Sequence, residues 1–521
     1  MAKSSDFGEI NLDVRGSGER SRATSDAETP FRILILGDFS GRATRNSLET
    51  GAKLASRRPR LVDRDNFDEV LAKSGAELTL PPGISPAPLR FTELDDFHPD
   101  RLFQSVALFQ RLRELRAKLS NPSTFAEAAA ELGLRPGNEP RAFESAAERQ
   151  TSLPDVSRMA SGSLLDDAIG ATEGRSGGEA PARKADDLAA FIRRSVAPHL
   201  VAKADPRQAE LLSVIDQATS AQMRALLRLP GFQALEAAWR AVFFLVRRIE
   251  TDASLEVFLL DVSKEELAAD LASTDDFRQT AMYKTLVEQT ARTPGAKPWA
   301  ALAGNYTFGK GDLTLLTGLT QLAAAAGAPF IAGASLNLLG CESAKDLTEP
   351  RTWKDVAGTS EGKMWSALRS LAEASYLGLA LPRFLLRLPY GKETDAAAQF
   401  DFEEMADFKQ ALGGAEREDY LWGNPAFLCV CLLAESFAQS QWSMRLEDEL
   451  EVDGLPLHVY QENGESTAKP CAETLMTEDA AMRILEAGLM PVASLKNTDA
   501  VRLVRFQSVA SPLKALSGRW G

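Results

Sequence analysis

Short apolar stretches with the composition of β-strands alternate with stretches of helical periodicity between residues 255 and 381. Parallel strands need crossover connections of a dozen or more residues, and these connections are usually helices. The alternation therefore predicts an α/β fold with a mixed or parallel sheet whose faces are covered by helices. Ser263 and Glu266 have the spacing of a capping box at the start of one helix. The predicted strands are Leu255–Asp261, Ala300–Phe308, Pro329–Ala334 and Gly378–Leu381, and the predicted helices cover residues 280–292, 312–326 and 361–375.

The apolar run Leu377–Gly391 carries two arginines, Arg383 and Arg387, between two prolines. Its composition is typical of an interior strand and the tight turns that follow it. A buried guanidinium is costly unless a carboxylate pairs with it, so the run predicts an acidic partner. Glu403 and Glu404, a short distance downstream, are the candidates for that partner.

A second block, YLWGN at residues 420–424, precedes a strongly apolar segment that predicts a buried helix over 424–438. Strands are predicted near Leu489–Lys496 and Ala500–Phe506, joined by a hairpin turn at residues 497–499. We interpret four residues of the two blocks as a structural motif rather than a catalytic one: Arg383, Arg387, Trp422 and Asn424.

The first part of the chain has its own strand and helix signals. Phe31–Leu36 predicts a strand that ends in the turn Gly37–Gly41, and a long helix is predicted to begin near Asp96, with Pro99 in its first turn. The apolar residues of this helix follow one face and predict core packing. They are Leu102, Val106, Phe109, Leu112, Leu115 and Leu119.

Near the N-terminus, Ile10, Leu12 and Val14 alternate with polar residues, which is a strand signal. Polar residues flank this short stretch on both sides, so an isolated strand there could not stabilise itself. The stretch is either a strand that pairs with a neighbouring molecule, which would make these three residues an interaction site, or a frayed terminus.

The composition excludes several classes of protein. A net charge of −14 without a local cluster of Lys and Arg argues against nucleic-acid binding. Four cysteines are too few for a disulfide framework, and they are typical of a reducing compartment. The N-terminal residues have no apolar signal region, and the most apolar segment is too short to span a membrane. The sequence therefore predicts a cytoplasmic protein that does not insert into membranes.

We find no signature of catalysis, of a bound cofactor or of a metal site. Gly304, Gly309 and Gly311 hint at a phosphate loop, but no Gly-Lys-Ser/Thr sequence follows them. Cys429 and Cys431, two apart on a helix, point about 200° away from each other and cannot chelate one zinc ion. We interpret them as core thiols. A nucleotide-binding α/β enzyme of unknown reaction remains the alternative function.

Two blocks of the first part, FRILILGDFSGR (31–42) and FTELDDFHPDRLFQ (91–104), occur in the order found in the small subunit of the type VI secretion contractile sheath. Roughly residues 5–120 resemble that subunit. Further along, the blocks PGFQALEAAWRAVFFLV (230–246), GNYTF (304–308), LPRFLLRLPYG (381–391), YLWGN (420–424) and LKNTD (495–499) resemble the large subunit of the same sheath. This second resemblance spans about residues 186–508.

The resemblance implies a small α+β lobe like the small sheath subunit and a larger α/β domain like the large subunit, with a mixed sheet covered by helices. Between them, residues rich in Ser, Gly, Glu, Ala and Arg predict a flexible linker. The expected organisation is a strand-bearing tail (1–30), a small-subunit-like region (31–133), the linker (134–185), a large-subunit-like domain (186–508) and a C-terminal tail (509–521).

The same resemblance implies a non-enzymatic structural protein of the sheath, which either is built into the sheath or caps, nucleates or regulates it. In the family the large subunit continues for about another hundred residues after the Lys-Asn-Thr-Asp block, whereas this sequence stops at Gly521. The resemblance therefore implies a C-terminally truncated large-subunit-like part, which favours the capping, nucleating or regulatory role over the built-in one. The implied partners are sheath small and large subunits, baseplate or inner-tube proteins and an AAA+ recycling ATPase, and the chain itself could form a homo-oligomer. No cofactor is implied.

Overall fold

The structure is a computed structural model that describes residues 29–121, 123–132, 207–293, 295–405, 420–447, 450–462 and 465–520. Its strands are β1 (Phe31–Gly37), β2 (Arg60–Leu61), β3 (Ala76–Leu78), β4 (Leu89–Phe91), β5 (Leu255–Asp261), β6 (Ala301–Phe308), β7 (Phe330–Ala334), β8 (Leu377–Leu381), β9 (Phe384–Arg387), β10 (Leu421–Gly423), β11 (Glu451–Val452), β12 (Val459–Glu462), β13 (Glu465–Ala468), β14 (Met490–Ser494) and β15 (Val501–Leu503). Its α-helices are α1 (Ala52–Ala55), α2 (Phe67–Ser74), α3 (Pro99–Ser105), α4 (Ala107–Ser120), α5 (Phe125–Glu131), α6 (Arg207–Leu227), α7 (Pro230–Arg248), α8 (Lys264–Leu271), α9 (Ala281–Tyr283), α10 (Leu313–Ala326), α11 (Ser360–Arg369), α12 (Ala426–Ser440) and α13 (Glu478–Glu486).

A nine-stranded sheet organises the described part of the chain, with the strand order β11-β15-β14-β8-β7-β6-β1-β5-β2. The strands from β14 to β5 run parallel to their neighbours. β2 at one end, and β15 and β11 at the other, pair in antiparallel fashion. The predicted mixed sheet is therefore confirmed, and helices α10 and α12 contact its strands β6 and β7.

The strand β1 lies inside this sheet, between two strands that follow it by more than two hundred residues. It pairs with β5 along its whole length, from Phe31 opposite Leu255 to Gly37 opposite Asp261. On its other side, Ile33–Leu36 pairs with β6. The apolar run of β1 is fully buried, as its composition predicts. The first part of the chain therefore supplies a central strand to the sheet built by the later part.

The described residues divide into two compact units. The first consists of the residues up to Val70 together with Ala237–Arg387 and the residues from Leu421 onward. The second consists of Leu71–Glu236 and Leu388–Tyr420. Each unit therefore combines residues from the small-subunit-like region with residues from the large-subunit-like region, because the chain passes between the two units several times.

The first unit has a large apolar core in which α12 is a central element. Nearly every residue of α12 is buried, including Cys429 and Cys431. Burial raises the pKa of Cys429 to about 12, so this thiol is protonated and behaves as a small apolar side chain. The prediction of core thiols on a buried helix is confirmed. No helix among the described residues is long and apolar enough to cross a membrane.

The last described residues belong to the first unit and pack at the amino end of β1. The Trp520 ring lies 6.3 Å from the Phe31 ring, between centroids, in a stacked orientation. Arg519 donates to the backbone carbonyls of Trp299 and Ala326. The stretch predicted as a C-terminal tail thus contributes side chains to this core.

The second unit contains the β3–β4 pair and the helices α3 to α6. The Phe91 and Phe97 rings stack with 4.0 Å between their centroids. His98 accepts a hydrogen bond from the Asp100 N–H at 3.2 Å and thereby caps α3, which has Pro99 in its first turn, as the sequence predicts. The predicted apolar face of the long helix is buried throughout.

That long helix is interrupted, which the sequence did not predict. Val106 adopts an extended conformation (φ −81°, ψ 127°) and separates α3 from α4. The interruption frees the Leu108 N–H, which donates to the Ile84 carbonyl at 3.0 Å instead of to the preceding helical turn. A contact with a residue 24 positions earlier therefore overrides the helical periodicity.

The helix predicted over residues 280–292 is also shorter than expected. It consists of α9 and a π-helical turn, Lys284–Glu288. The Asp270 carboxylate accepts the Ala281 and Met282 N–H groups at 2.9 Å and so fixes the start of α9 from another helix. The hairpin between β14 and β15 agrees with the prediction, since Asn497 has the positive φ of a tight turn.

Candidate functional site

The four motif residues lie around a small two-stranded sheet in the first unit. β9 pairs in antiparallel fashion with β10, and Trp422 lies opposite Leu385. Arg387, Trp422 and Asn424 are each buried, with about 9% of their surface exposed. Their burial agrees with a structural role, and no cluster of side chains suited to metal binding occurs in the described part of the chain.

Arg383 differs from the prediction in both exposure and partner. Its side chain is 49% exposed, and it pairs with Glu473, which is 2.6 Å away and lies 90 positions later, rather than with Glu403 or Glu404. The Glu473 carboxylate also accepts the Arg383 backbone N–H at 3.0 Å. Arg383 lies between β8 and β9, outside both strands, and composition alone could not indicate its exposure.

Asn424 connects three elements through its side-chain amide. Its Nδ2 donates to the Tyr306 carbonyl of β6 at 2.8 Å, and its Oδ1 accepts the Ala426 N–H at the start of α12 at 3.0 Å. The backbone of Gly333 in β7 approaches so closely that a Cβ atom there would lie 3.1 Å from the amide nitrogen. The YLWGN block therefore positions α12 on the sheet.

A second group of polar residues, which we call the charged junction, lies at the carboxyl ends of β1 and β5. It joins the early part of the chain to the later part and was not predicted from the sequence. Its members are Asp38, Arg42, Glu49, Arg57, Asp261 and Glu266.

Glu266 is the centre of the charged junction and has no solvent exposure. Its two carboxylate oxygens each accept a hydrogen bond of 2.6 Å from Arg57. The Ser263 and Glu49 N–H groups donate to the same oxygens at 2.9 and 2.8 Å. Burial by itself would raise the pKa of Glu266, but these hydrogen bonds, above all those from Arg57, outweigh it and lower the pKa.

The turn after β1 is held by two aspartates. Asp38 accepts the N–H groups of Arg42 and Ala43 at 2.8 and 2.9 Å. Asp261, at the end of β5, accepts the Phe39 N–H at 2.9 Å and pairs with the Arg42 guanidinium. Burial raises the pKa of Asp38 despite its two backbone donors. The GDFSG block is thus a turn, as predicted, and its one carboxylate, Asp38, accepts hydrogen bonds from the backbone of the turn.

In open α/β sheets, ligands usually bind in a crevice at the carboxyl ends of the strands. Here that end is filled by the protein's own side chains. Trp239 packs on Phe39 with 5.5 Å between ring centroids and donates its Nε1–H to the Phe39 carbonyl at 2.9 Å. The buried Tyr306 hydroxyl donates to the Val262 carbonyl at 2.6 Å. These contacts pack the carboxyl ends of the strands against the residues that follow them.

The remaining predicted interaction residues, Ile10, Leu12 and Val14, lie outside the described residues. Sequence reasoning missed the role of Arg57 altogether. Its partner Glu266 was visible only as a capping residue, and a capping box carries no information about a cation 209 positions away.

Comparison with protein families agrees with the geometry. The model of the VipB family, a tail sheath N-terminal domain, matches residues 209–510, which is more than half of the chain. The chain belongs to the type VI secretion sheath family. The model of the type VI secretion VipA family matches residues 10–132 of this sheath-family chain.

A curated relative is the type VI secretion system sheath protein TssC1 of Pseudomonas aeruginosa, with 33% identity over 310 residues. The match covers 58% of this sheath-family chain and 61% of the relative, so the chain spans less than two thirds of that protein. The strand β1 comes from the VipA-like region, and its neighbours β5 and β6 come from the VipB-like region.

Proposed function

We propose that this chain is a non-enzymatic structural component of a type VI secretion contractile sheath, acting in the cytoplasm. The observation that carries the proposal is the position of β1. One polypeptide supplies both the VipA-like and the VipB-like strands of one sheet, in which β1 pairs in parallel with β5 and β6. A sheath subunit transmits force, and a strand bonded on both sides within a buried sheet resists separation of the two parts.

The charged junction supports the same proposal. Arg57 and Glu266 belong to opposite parts of the chain and form a bidentate, buried ion pair. Such pairs contribute geometric specificity, and losing one partner is costly. The junction would therefore hold the two parts in one register while neighbouring subunits push or pull on them.

The proposed partners are sheath small and large subunits, and a second copy of the chain. Ile10, Leu12 and Val14 are the proposed donated strand, because alternating residues give pairing through the backbone and specificity through one apolar face. The nine-stranded sheet ends in two short strands, β2 and β11, whose outer edges could accept it. Baseplate or inner-tube proteins and an AAA+ recycling ATPase are further proposed partners.

Electron microscopy of the purified chain, mixed with separately purified small and large sheath subunits, tests the proposal. A gold or fluorescent label on the chain should appear in pelleted sheaths. Labels along the length would indicate a built-in subunit, and labels at the ends would indicate a cap or nucleator. A chain that stays in the supernatant and leaves sheath length and number unchanged would contradict the proposal.

The rival function, a nucleotide-binding enzyme, has a separate test. Thermal unfolding is followed with ATP, GTP or Mg²⁺ at millimolar concentration, because a tightly bound ligand raises the apparent stability. We expect no change in Tm, since side chains fill the carboxyl end of the sheet. A reproducible rise of several degrees with one nucleotide would favour the enzyme instead.

A further inference from the structure

The first residue of β1 lies in a cage of aromatic rings. The Phe31 ring is 4.6 Å from the Phe437 ring and 5.4 Å from the Trp442 ring, between centroids. Trp442 also donates its Nε1–H to the Thr29 carbonyl at 2.7 Å, just before the strand begins. The Trp520 ring completes the cage, and Phe31 is fully buried. Phe31 comes from the VipA-like region and the three caging rings from the later part of the chain, so the cage joins the two parts.

The walls of this cage differ in how they are built. Phe437 lies in α12, and Trp442 lies in the short 3-10 turn that follows this helix. Trp520 lies instead on residues 504–520, a stretch without helix or strand that we call the strap. A segment with few backbone hydrogen bonds of its own opens at a lower free energy than a buried helix does. The Trp520 wall is therefore the one that can move away while α12 stays folded.

The strap is tied to the amino end of β8. The Val509 N–H donates to the carbonyl of Leu377, the first residue of that strand, at 2.9 Å. Further along the strap, the Ser517 N–H donates to the Ser375 carbonyl at 2.8 Å. Leu516, between these two points and Trp520, is buried. The strap thus has a fixed starting point at β8 and reaches from there to the amino end of β1.

Arg519 fixes the strap beside β1. Its Nε–H donates to the Trp299 carbonyl at 3.1 Å, and its guanidinium also donates to the Ala326 carbonyl at 3.3 Å. Hydrogen bonds from a charged donor are stronger than those between neutral groups. The Trp299 ring in turn lies 4.2 Å from the guanidinium carbon of Arg32, the second residue of β1. The strap therefore contacts the start of β1 directly through Trp520 and indirectly through Trp299.

We propose that the strap is a latch for β1, which closes the cage when the strand is in the sheet and must open before the strand can leave it. Pairing with β5 and β6 holds the two edges of β1. The strap adds a contact at its amino end, and such a contact slows separation if it has to break on the way out. The VipB family match ends at residue 510, so most of the strap lies beyond it. The latch goes beyond the proposed sheath function and does not depend on it.

Release of the VipA-like part from a cut chain tests the latch. A protease site placed between residues 134 and 185 lets the folded, full-length chain be cut after purification. The cut protein is diluted into urea at a concentration that separates the unaltered pieces within hours, and size-exclusion chromatography follows the fraction that still co-elutes. Trp520→Ala removes the movable wall of the cage and should speed separation at least about tenfold.

Two control variants accompany Trp520→Ala. Leu513→Ala alters the same strap at an exposed position and should leave the rate of separation unchanged. Leu455→Ala removes a buried side chain just after β11, at the far end of the nine-stranded sheet, and so tests for general destabilisation. Its effect on the rate should stay below about threefold, because it does not touch the cage.

Hydrogen exchange in the uncut chain gives a reciprocal measurement. Phe31→Leu keeps an apolar residue in β1 but removes the ring on which Trp520 stacks. Amides of residues 512–520, among them the Ser517 N–H, should then exchange roughly fivefold faster, because the strap loses a partner when open and closed forms interconvert. The same peptide in the Leu455→Ala variant should exchange at the rate of the unaltered chain.

Either of two results would overturn the latch. The first is separation of the cut pieces at equal rates in Trp520→Ala and Leu513→Ala. The second is exchange over residues 512–520 that is unchanged in Phe31→Leu, since the strap would then be held without β1. A chain that shows both expected effects but does not enter sheaths would contradict the proposed function and leave the latch standing.

Discussion

At the scale of single residues, the ion pair between Arg57 and the fully buried Glu266 holds the charged junction together. Arg57 also donates to the Asp261 carbonyl at 2.7 Å and to Glu49 at 3.1 Å, so one side chain contacts three positions of the charged junction. The guanidinium fork suits the bidentate contact with Glu266, which a lysine could not reproduce. The junction is therefore most sensitive at this position.

Arg57→Ala should lower the free energy of unfolding by about 3–5 kcal/mol, because it removes the bidentate partner of the buried Glu266 carboxylate and leaves only Arg42, whose Nε lies 3.4 Å from Glu266 Oε1. Urea denaturation at neutral pH measures the change. Arg58→Ala is the matched control, since Arg58 is exposed and contacts Gln289, and it should cost less than about 0.5 kcal/mol. Equal effects of the two substitutions would show that the junction is not a stabilising element.

The lowered pKa of Glu266 gives a prediction about pH. Its folded-state pKa lies below its ordinary value of 4.5, so ionised Glu266 favours the folded state. The stabilisation is present above about pH 4.5 and is lost as the pH falls through the lower, folded-state pKa. Glu266→Gln should therefore weaken the loss of stability on acidification below about pH 4.5.

Denaturation midpoints measured from pH 3 to pH 7 give the comparison. Glu265→Gln is the control, because Glu265 is the exposed neighbour in the same helix turn and should leave the acid side of the curve unchanged. Identical pH profiles for Glu266→Gln and the unaltered chain would contradict the assigned role of the carboxylate.

At the scale of elements, the Asn424 side chain anchors the first residue of α12 to the sheet. Removing the Asn424 amide leaves the Tyr306 carbonyl and the Ala426 N–H without their buried partner. Asn424→Ala should therefore cost about 1–3 kcal/mol for each buried group left unsatisfied. Thermal unfolding measures the loss, with the exposed Gln104→Ala as control. An unchanged Tm would mean that α12 needs no such anchor.

Two helices differ from the prediction: the long helix is broken at Val106, and the helix predicted over 280–292 is shorter. They show which features of a helix can be predicted from sequence. The apolar face from Leu102 to Leu119 was identified correctly, because helical periodicity is a local property. The break at Val106 was missed because the backbone there is set by a hydrogen bond to Ile84. The same holds for α9, whose start depends on Asp270.

At the scale of the whole molecule, β1 makes the two sequence regions inseparable. Its seven residues are bonded to β5 on one side and, through their central part, to β6 on the other. A cut in the chain between residues 134 and 185 should leave the two fragments associated, because the sheet and not the intervening chain joins them.

Co-purification of residues 1–134 with residues 185–521, expressed together as separate chains, tests this prediction. Residues 185–521 expressed alone should aggregate or stay unfolded, since β5 and β6 would lose the strand between them. Two soluble fragments that fail to associate would contradict the role assigned to β1.

The sequence by itself determined the features that depend on near neighbours. These include the strand–helix alternation, the capping box at Ser263, the buried helix after Asn424 and the turn after β1. Blocks of sequence were also sufficient to identify the sheath family, since family resemblance needs no knowledge of packing. Periodicity, caps and turns arise from interactions within a few residues, and a single chain displays them directly.

Only the tertiary structure decided which distant residues meet. The insertion of β1 between β5 and β6, the pairing of Arg57 with Glu266 and that of Arg383 with Glu473 join residues 90 to more than 200 positions apart. Many carboxylates could satisfy a given arginine, and many apolar strands could flank β1. The selection among them follows from packing of the whole core, where burial and geometry act together and no local pattern records the outcome.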